Sequence, residues 1–169
     1  MIYGNIFLEK SGGISDLKFN NPKELYNWMK SNIRYSNFYE LKSAQEVYES
    51  KCGSCHDQVM FEDYFFMRQF NLKYSRLFAI EYKDGENKGG RTHSFIYYID
   101  NDKYYWFENS WPSNKGINGP YNSLNELKND FIDKMLSETK RYNKVLIRTV
   151  KGVKPGMTLN QYVNACIGG

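Results

Sequence analysis

Several residue types are scarce in this 169-residue chain, and each shortage narrows the kinds of protein that it can be. Three cysteines, an odd number, argue against a disulfide framework. Two histidines leave too few candidate ligands for a structural zinc site, because no second CxxC-like pair accompanies the first. No stretch is long and apolar enough to span a membrane. We therefore expect neither a disulfide-rich module nor a membrane protein.

Composition and charge point to an ordinary folded domain. Hydrophobic residues make up 41% of the chain and aromatic residues 17%, which favours a packed core over disorder. The net charge of +4 is mild and spread out, so no nucleic-acid partner is expected. The N-terminus lacks signal-peptide features, which predicts a cytoplasmic protein. Alanine is scarce while asparagine, lysine and isoleucine abound, which is typical of an AT-rich bacterial or phage genome.

Local signals predict an α+β domain that spans residues 1–169, with a core at about 22–111 and an extension at 112–169. Capping signals and apolar periodicity predict helices at 22–32, 44–51, 55–70 and 124–137, and one that begins after Thr158. Alternating patterns predict strands at 2–8, 73–82, 92–99, 103–109 and 144–150. Residues 84–90 and 110–122 are predicted to be loops.

A cysteine stands at the start of the third predicted helix, in the run Cys52-Gly53-Ser54-Cys55-His56-Asp57. At 100° per residue, three apolar residues point in nearly the same direction as Cys55: Val59, Phe66 and Phe70. Cys55 therefore heads the buried stripe and faces the sheet that the helix covers. The positive end of the helix dipole favours its thiolate form. Helical phase selects Cys55 and leaves Cys52 and His56 without a role.

The second feature is His93, at the start of a strand in a predicted hairpin. If the turn contains residues 100–102, His93 faces Asn109 across the two strands. If the turn contains only residues 101 and 102, Ser110 faces His93 and Glu108 becomes its diagonal neighbour. A thiol, an imidazole and a carboxamide or carboxylate form a Cys–His–Asn/Asp nucleophilic centre. We predict Cys55, His93 and Asn109, with Glu108 as the alternative third member.

These landmarks resemble the transglutaminase-like superfamily, which has a papain-type core. The resemblance covers residues 22–111 and rests on Trp28, Asn32-Ile33-Arg34-Tyr35, Ser43-Ala44-Gln45-Glu46-Val47, Gly53-Ser54-Cys55-His56-Asp57, Thr92-His93-Ser94-Phe95 and Trp106 through Ser110. It implies that Cys55 is the nucleophile and His93 the base. Asn109 falls where the family usually has Asp. The implied fold packs N-terminal helices, including the nucleophile helix, on an antiparallel sheet.

The resemblance also implies a function. A cysteine-dependent acyl-transfer enzyme of this type acts on protein or peptide amides as a protease, deamidase or transglutaminase, and it needs no cofactor. Its partner is the protein or peptide substrate.

Other functions are open from the residues alone. Asn109 in place of Asp and a tyrosine-rich hairpin favour a catalytically inactive binding module on the same fold. The run Cys52-x-x-Cys55-His56 also fits the attachment pattern of a c-type haem, although that pattern requires export. A CxxC redox pair usually follows a strand, whereas this one follows a predicted helix.

Overall fold

The computed structural model describes residues 12–168. The strand expected at residues 2–8 lies outside this range. Within it, the helices are α1 (Pro22–Asn32), α2 (Ala44–Ser50), α3 (Cys55–Arg68), α4 (Leu124–Glu138) and α5 (Leu159–Ile167), and short 3₁₀ helices occupy Ile14–Asp16 and Pro112–Asn114. The strands are β1 (Arg34–Tyr35), β2 (Cys52–Gly53), β3 (Lys73–Tyr82), β4 (Thr92–Asp100), β5 (Lys103–Glu108), β6 (Gly116–Tyr121) and β7 (Lys144–Thr149). None of the helices described is both long and apolar enough to cross a lipid bilayer.

Five strands form one antiparallel sheet in the order β6-β5-β4-β3-β7, and β1 pairs with β2 in a separate parallel pair. The α+β class is therefore confirmed. The prediction of a loop throughout 110–122 is wrong, because β6 pairs with β5 along the sheet edge. The sequence does not predict this strand, because Gly116, Gly119 and Pro120 are residue types that disfavour strands. The strand can form nevertheless, because proline is tolerated in an edge strand.

The turn between β4 and β5 contains two residues, so of the two registers that the sequence left open, the one with a three-residue turn is excluded. Asp100 pairs with Lys103, and Ile96 pairs with Phe107. The turn residues Asn101 and Asp102 have φ angles of 49° and 60°, which is the left-handed conformation that a tight two-residue hairpin requires. Asn and Asp tolerate this conformation better than other residues with a side chain. This register decides which residue at the end of β5 lies near His93.

Helices cover both faces of the sheet and bury it. Phe61, Phe65 and Phe66 of α3 pack with residues of α1 and α2 and with Ile96 and Phe107 of the sheet. On the other face, Leu127, Phe131 and Met135 of α4 pack against Leu77, Ala79, Phe95 and Trp106. Residues of β4 thus alternate between the two faces, as the pleat requires. A third cluster joins α5 to the sheet through Tyr162 and Phe78.

Candidate active site

The start of α3 is held firmly in place. Ser54 is the N-cap, its hydroxyl accepts from the Asp57 N–H, and the Asp57 carboxylate accepts from the Ser54 N–H at 2.8 Å. The other Asp57 oxygen accepts from the backbone N–H of Lys42 at 2.8 Å, which ties the segment before α2 to this turn. Gly53 is required because a Cβ there would lie 2.7 Å from the Cβ of Asp57. The cap fixes Cys55 at the first helical position.

Cys55 opens onto a cleft of about 360 Å³. Its side chain is largely buried, with 8% of the residue exposed, and His93 is exposed to the same extent. Both residues line the cleft, together with Tyr35, Arg91, Thr92, Ser110, Trp111, Pro112, Met135 and Glu138. The helix and the sheet therefore bring the predicted nucleophile and the predicted base to one solvent-accessible space.

His93 contacts a carboxylate through one ring nitrogen. Its Nε2 is hydrogen-bonded to Oε1 of Glu108, and Oε2 of Glu108 accepts from the N–H and the hydroxyl of Ser110 at 3.2 and 3.1 Å. The Glu108 carboxylate is thereby held on both oxygens. Since Nε2 is occupied by Glu108, Nδ1 is the ring nitrogen left to interact with Cys55, which lines the same cleft. The imidazole ring stacks on Phe131, with centroids 5.9 Å apart, and meets Trp111 edge-on at 5.5 Å.

Asn109 does not contact His93 in this way, so the prediction that it faces this histidine is wrong. Its Nδ2 donates to Oε1 of Gln58 on α3 at 2.8 Å. The two-residue turn explains the difference, because it shifts the pairing by one residue. In this register Glu108 lies on the same sheet face as His93, whereas Asn109 falls on the opposite face.

The charges in this cluster favour a thiolate beside an imidazolium. Burial alone would raise the pKa of the Cys55 thiol, but the neighbouring His56 first and His93 second lower it to about 5. Burial alone would lower the pKa of His93, but the Glu108 carboxylate and the hydrogen bond to Cys55 raise it to about 10. At neutral pH, Cys55 is therefore ionised and His93 is protonated.

His56 is not the bystander that helical phase predicts. It is 2% exposed, and its Nδ1 and Nε2 are hydrogen-bonded to the hydroxyls of Ser94 at 2.7 Å and Thr92 at 3.1 Å. These contacts join the first turn of α3 to β4 on either side of His93. We assign the main role to His93, because a carboxylate contacts that ring.

One wall of the cleft depends on a chain of ion pairs. Arg91 contacts Glu81 at 2.5 Å and Glu138 at 2.8 Å, and Glu138 accepts from the indole N–H of Trp111 at 2.5 Å. Glu138 therefore ties the loop after β5 to the end of α4. This contact keeps the Trp111 ring against His93. The members of this network are far apart in the chain and follow no local pattern, so the sequence gives no signal for it.

Glu62 is a further acidic group at the site that sequence analysis missed. It is 3% exposed and lies seven residues after Cys55, which places it on the same helical face. Burial first, and then the charge of Glu108, hold its pKa well above the ordinary carboxyl value. The helical phase that selects Cys55 also points to Glu62, and a carboxyl on a buried stripe is the signal that could have found it.

The two remaining cysteines lie outside the centre. Cys52 accepts a hydrogen bond from Nζ of Lys42 at 3.4 Å, and Cys166 is buried on α5, where burial raises its pKa to about 11. Over residues 12–168, no three His, Cys, Asp or Glu side chains form a group that could hold a metal ion.

Comparison of the chain with protein-family models and with curated proteins yields no match. The function is therefore inferred from the residues of the cleft.

Proposed function

We propose that this chain is a cysteine-dependent acyl-transfer enzyme that acts on protein or peptide amides, on a transglutaminase-like fold with a papain-type core. One observation carries the proposal: a cysteine at a helix start and a histidine line the same cleft, and a buried carboxylate is hydrogen-bonded to that histidine. Nucleophile, base and orienting group in contact are the signature of covalent catalysis. Strongly shifted pKa values in a cleft add weight to it.

The chemistry follows from the positions of the three groups. The Cys55 thiolate attacks the amide carbonyl carbon, and the electron pair of the C=O bond moves to oxygen. The backbone N–H of Cys55 has no partner within the helix at this first position, so it can donate to that oxyanion, with the helix dipole adding to the effect. His93 then gives its proton to the leaving nitrogen, the C–N bond breaks, and a thioester remains on Cys55.

The second half of the reaction returns the enzyme to its starting state. Neutral His93 accepts a proton from water or from a second amine, which attacks the thioester carbon. The C–S bond then breaks, and the thiolate and the imidazolium form again. Throughout, Glu108 keeps the proton on Nε2 and so keeps Nδ1 directed at the reacting atoms. Water as the acceptor gives hydrolysis or deamidation, and an amine gives transamidation.

The two other functions receive less support. The binding-module alternative rests on Asn109, whereas Glu108 occupies the position against His93. Its tyrosine-rich hairpin is also partly used in packing, since Tyr98 is 5% exposed and stacks on Tyr105. For c-type haem, the histidine next to Cys55 would be the iron ligand, yet both its ring nitrogens are bonded to hydroxyls.

Trapping the thioester tests the proposed function. The protein is incubated with a mixture of peptides and with hydroxylamine, which attacks thioesters as an amine acceptor. We expect peptide hydroxamates in mass spectra, either on glutamine or asparagine side chains or at newly formed C-termini. The location of the hydroxamate distinguishes side-chain transfer from peptide cleavage.

The matched control for this experiment is Cys55→Ser, which keeps the size of the side chain but loses the low-pKa nucleophile. It should yield no hydroxamate. If the native protein yields none from any peptide, while Cys55 still reacts rapidly with alkylating reagents, the binding module becomes the better account.

A further inference from the structure

A buried polar cluster adjoins the centre formed by Cys55, His93 and Glu108. Its members are Gln58, Glu62 and Asn109, which are 1%, 3% and 2% exposed. Within residues 12–168, three buried side-chain oxygens have no hydrogen-bond partner, and two of them belong to this cluster: Oε2 of Glu62 and Oδ1 of Asn109. Buried polar atoms are rarely left unpaired in proteins, so each of these two oxygens calls for a partner.

Gln58 neighbours both residues that carry an unpaired oxygen. It lies four residues before Glu62 on α3, so the two side chains are neighbours on the helix surface. Its Oε1 accepts from Nδ2 of Asn109 at 2.8 Å, and its Nε2 donates to the carbonyl of Gly53 at 2.9 Å. The amide of Gln58 is thus committed on both sides. The Asn109 oxygen still needs a donor, and only a protonated carboxyl can supply one from Glu62.

The charged groups around Glu62 favour that proton. Cys55 and Asp63 lie on its own helix, His93 on β4 and Glu108 on β5. Burial and the charges of Glu108, Cys55 and Asp63 disfavour a second carboxylate here, and His93 opposes them only in part. A protonated Glu62 avoids the free-energy cost of a buried charge, and its O–H can donate to the acceptor oxygen of Asn109.

We propose that Glu62 is a positioning residue that stays protonated in the folded protein and donates a hydrogen bond to Oδ1 of Asn109. Glu62, Asn109 and Gln58 then form one connected network, the Glu62 network, which joins α3 to the end of β5. Asn109 directly follows Glu108 in the chain. By fixing Asn109 from the α3 side, the network fixes the backbone from which Glu108 reaches His93. The role of the network in catalysis rests on the proposed function, whereas its protonation does not.

Glu62→Gln and Glu62→Leu are the two variants that test this inference. Glutamine keeps the shape and a donor but cannot ionise, and leucine removes the donor. Infrared difference spectra between the native protein and Glu62→Gln at neutral pH should show loss of a protonated-carboxyl C=O band. Loss of a carboxylate band instead would overturn the proposal.

Unfolding measurements give a second readout that needs no substrate. Between its ordinary pKa of 4.5 and its raised pKa in the folded protein, Glu62 releases its proton on unfolding. Stability should therefore fall with rising pH relative to Glu62→Gln, and the ratio of the two unfolding constants should rise about tenfold per pH unit until the folded carboxyl ionises. A ratio that does not change with pH would contradict a retained proton.

Kinetics separate the positioning role from simple packing. Glu62→Leu should lower kcat about tenfold with little change in KM, and it should move the alkaline limb of the pH profile to lower pH, because Glu108 is held less firmly. Glu62→Gln should keep the native profile. Equal profiles for the leucine and native proteins would refute the positioning role. If the infrared band and the unfolding trend appear while no acyl transfer is detected with any variant, the proposed function fails but the protonated network stands.

Discussion

Replacing Cys55 by alanine should abolish acyl transfer, with kcat falling by about 10⁴-fold or more. The expectation follows from the place of the sulfur atom: it is the group that forms the covalent bond, and neither His93 nor Glu108 can substitute for it. Hydroxamate formation from a peptide identified in the trapping experiment measures the loss. The fold should survive, because alanine fits the space and the capping box at Ser54 and Asp57 is unchanged.

The other two cysteines provide matched controls. Cys52→Ala and Cys166→Ala should each keep the rate within about threefold, since neither thiol lines the cleft. A large loss of activity in Cys52→Ala, with Cys55→Ala remaining active, would show that Cys52 is the nucleophile and would overturn the assignment.

Glu108→Gln is expected to lower kcat by about 10²-fold, a smaller effect than the loss of the nucleophile. Glutamine can still offer an oxygen to Nε2 of His93, so the orientation of the ring is largely kept. The charge is lost, however, and the Glu108 carboxylate is what chiefly raises the pKa of His93 against burial. The alkaline limb of the kcat/KM profile should therefore move down from about 10 toward the ordinary histidine value of 6.5.

Asn109→Ser is the matched comparison for that prediction. Serine removes the contact to Gln58 but leaves Glu108 and its charge in place. It should cause a smaller loss of kcat than Glu108→Gln and a smaller shift of the alkaline limb. If Asn109→Ser shifts the limb strongly and Glu108→Gln does not, Asn109 and not Glu108 controls the charge on His93.

Much of this fold could be predicted from local signals. Capping residues such as Ser43, Ser54 and Ser123 fix where helices begin, and strands with alternating apolar residues stand out from their glycine-rich flanks. The parts that sequence analysis missed lack such signals. Strands β1 and β2 have two residues each, too few for any alternation, and β6 contains glycine and proline that an edge strand tolerates.

The sequence predicts those features of the site that depend on one helix or one strand alone. Helical phase is a property of one helix, and it correctly directed Cys55 to the buried face. The identity of the third member of the centre depends on how β4 and β5 pair. Lengthening the turn by one residue moves every later side chain of the second strand to the other face of the sheet. Both registers were compatible with the sequence, and the left-handed conformations of Asn101 and Asp102 decide between them. The surroundings of His56 and Glu62 depend on how α3 packs on the sheet, and the sequence of the helix alone does not determine that packing.

The central claim is that Cys55 and His93 form a thiolate–imidazolium pair, and the pH dependence of Cys55 alkylation tests it most directly. The measurement uses a Cys52→Ala/Cys166→Ala double variant, so that Cys55 is the only thiol, and follows iodoacetamide labelling by mass spectrometry. With His56 and His93 both beside the thiolate, the rate is predicted to be half-maximal near pH 5 and to stay high through neutral pH. A rate that is negligible at pH 7 and half-maximal near pH 9, as for an isolated thiol, would contradict it.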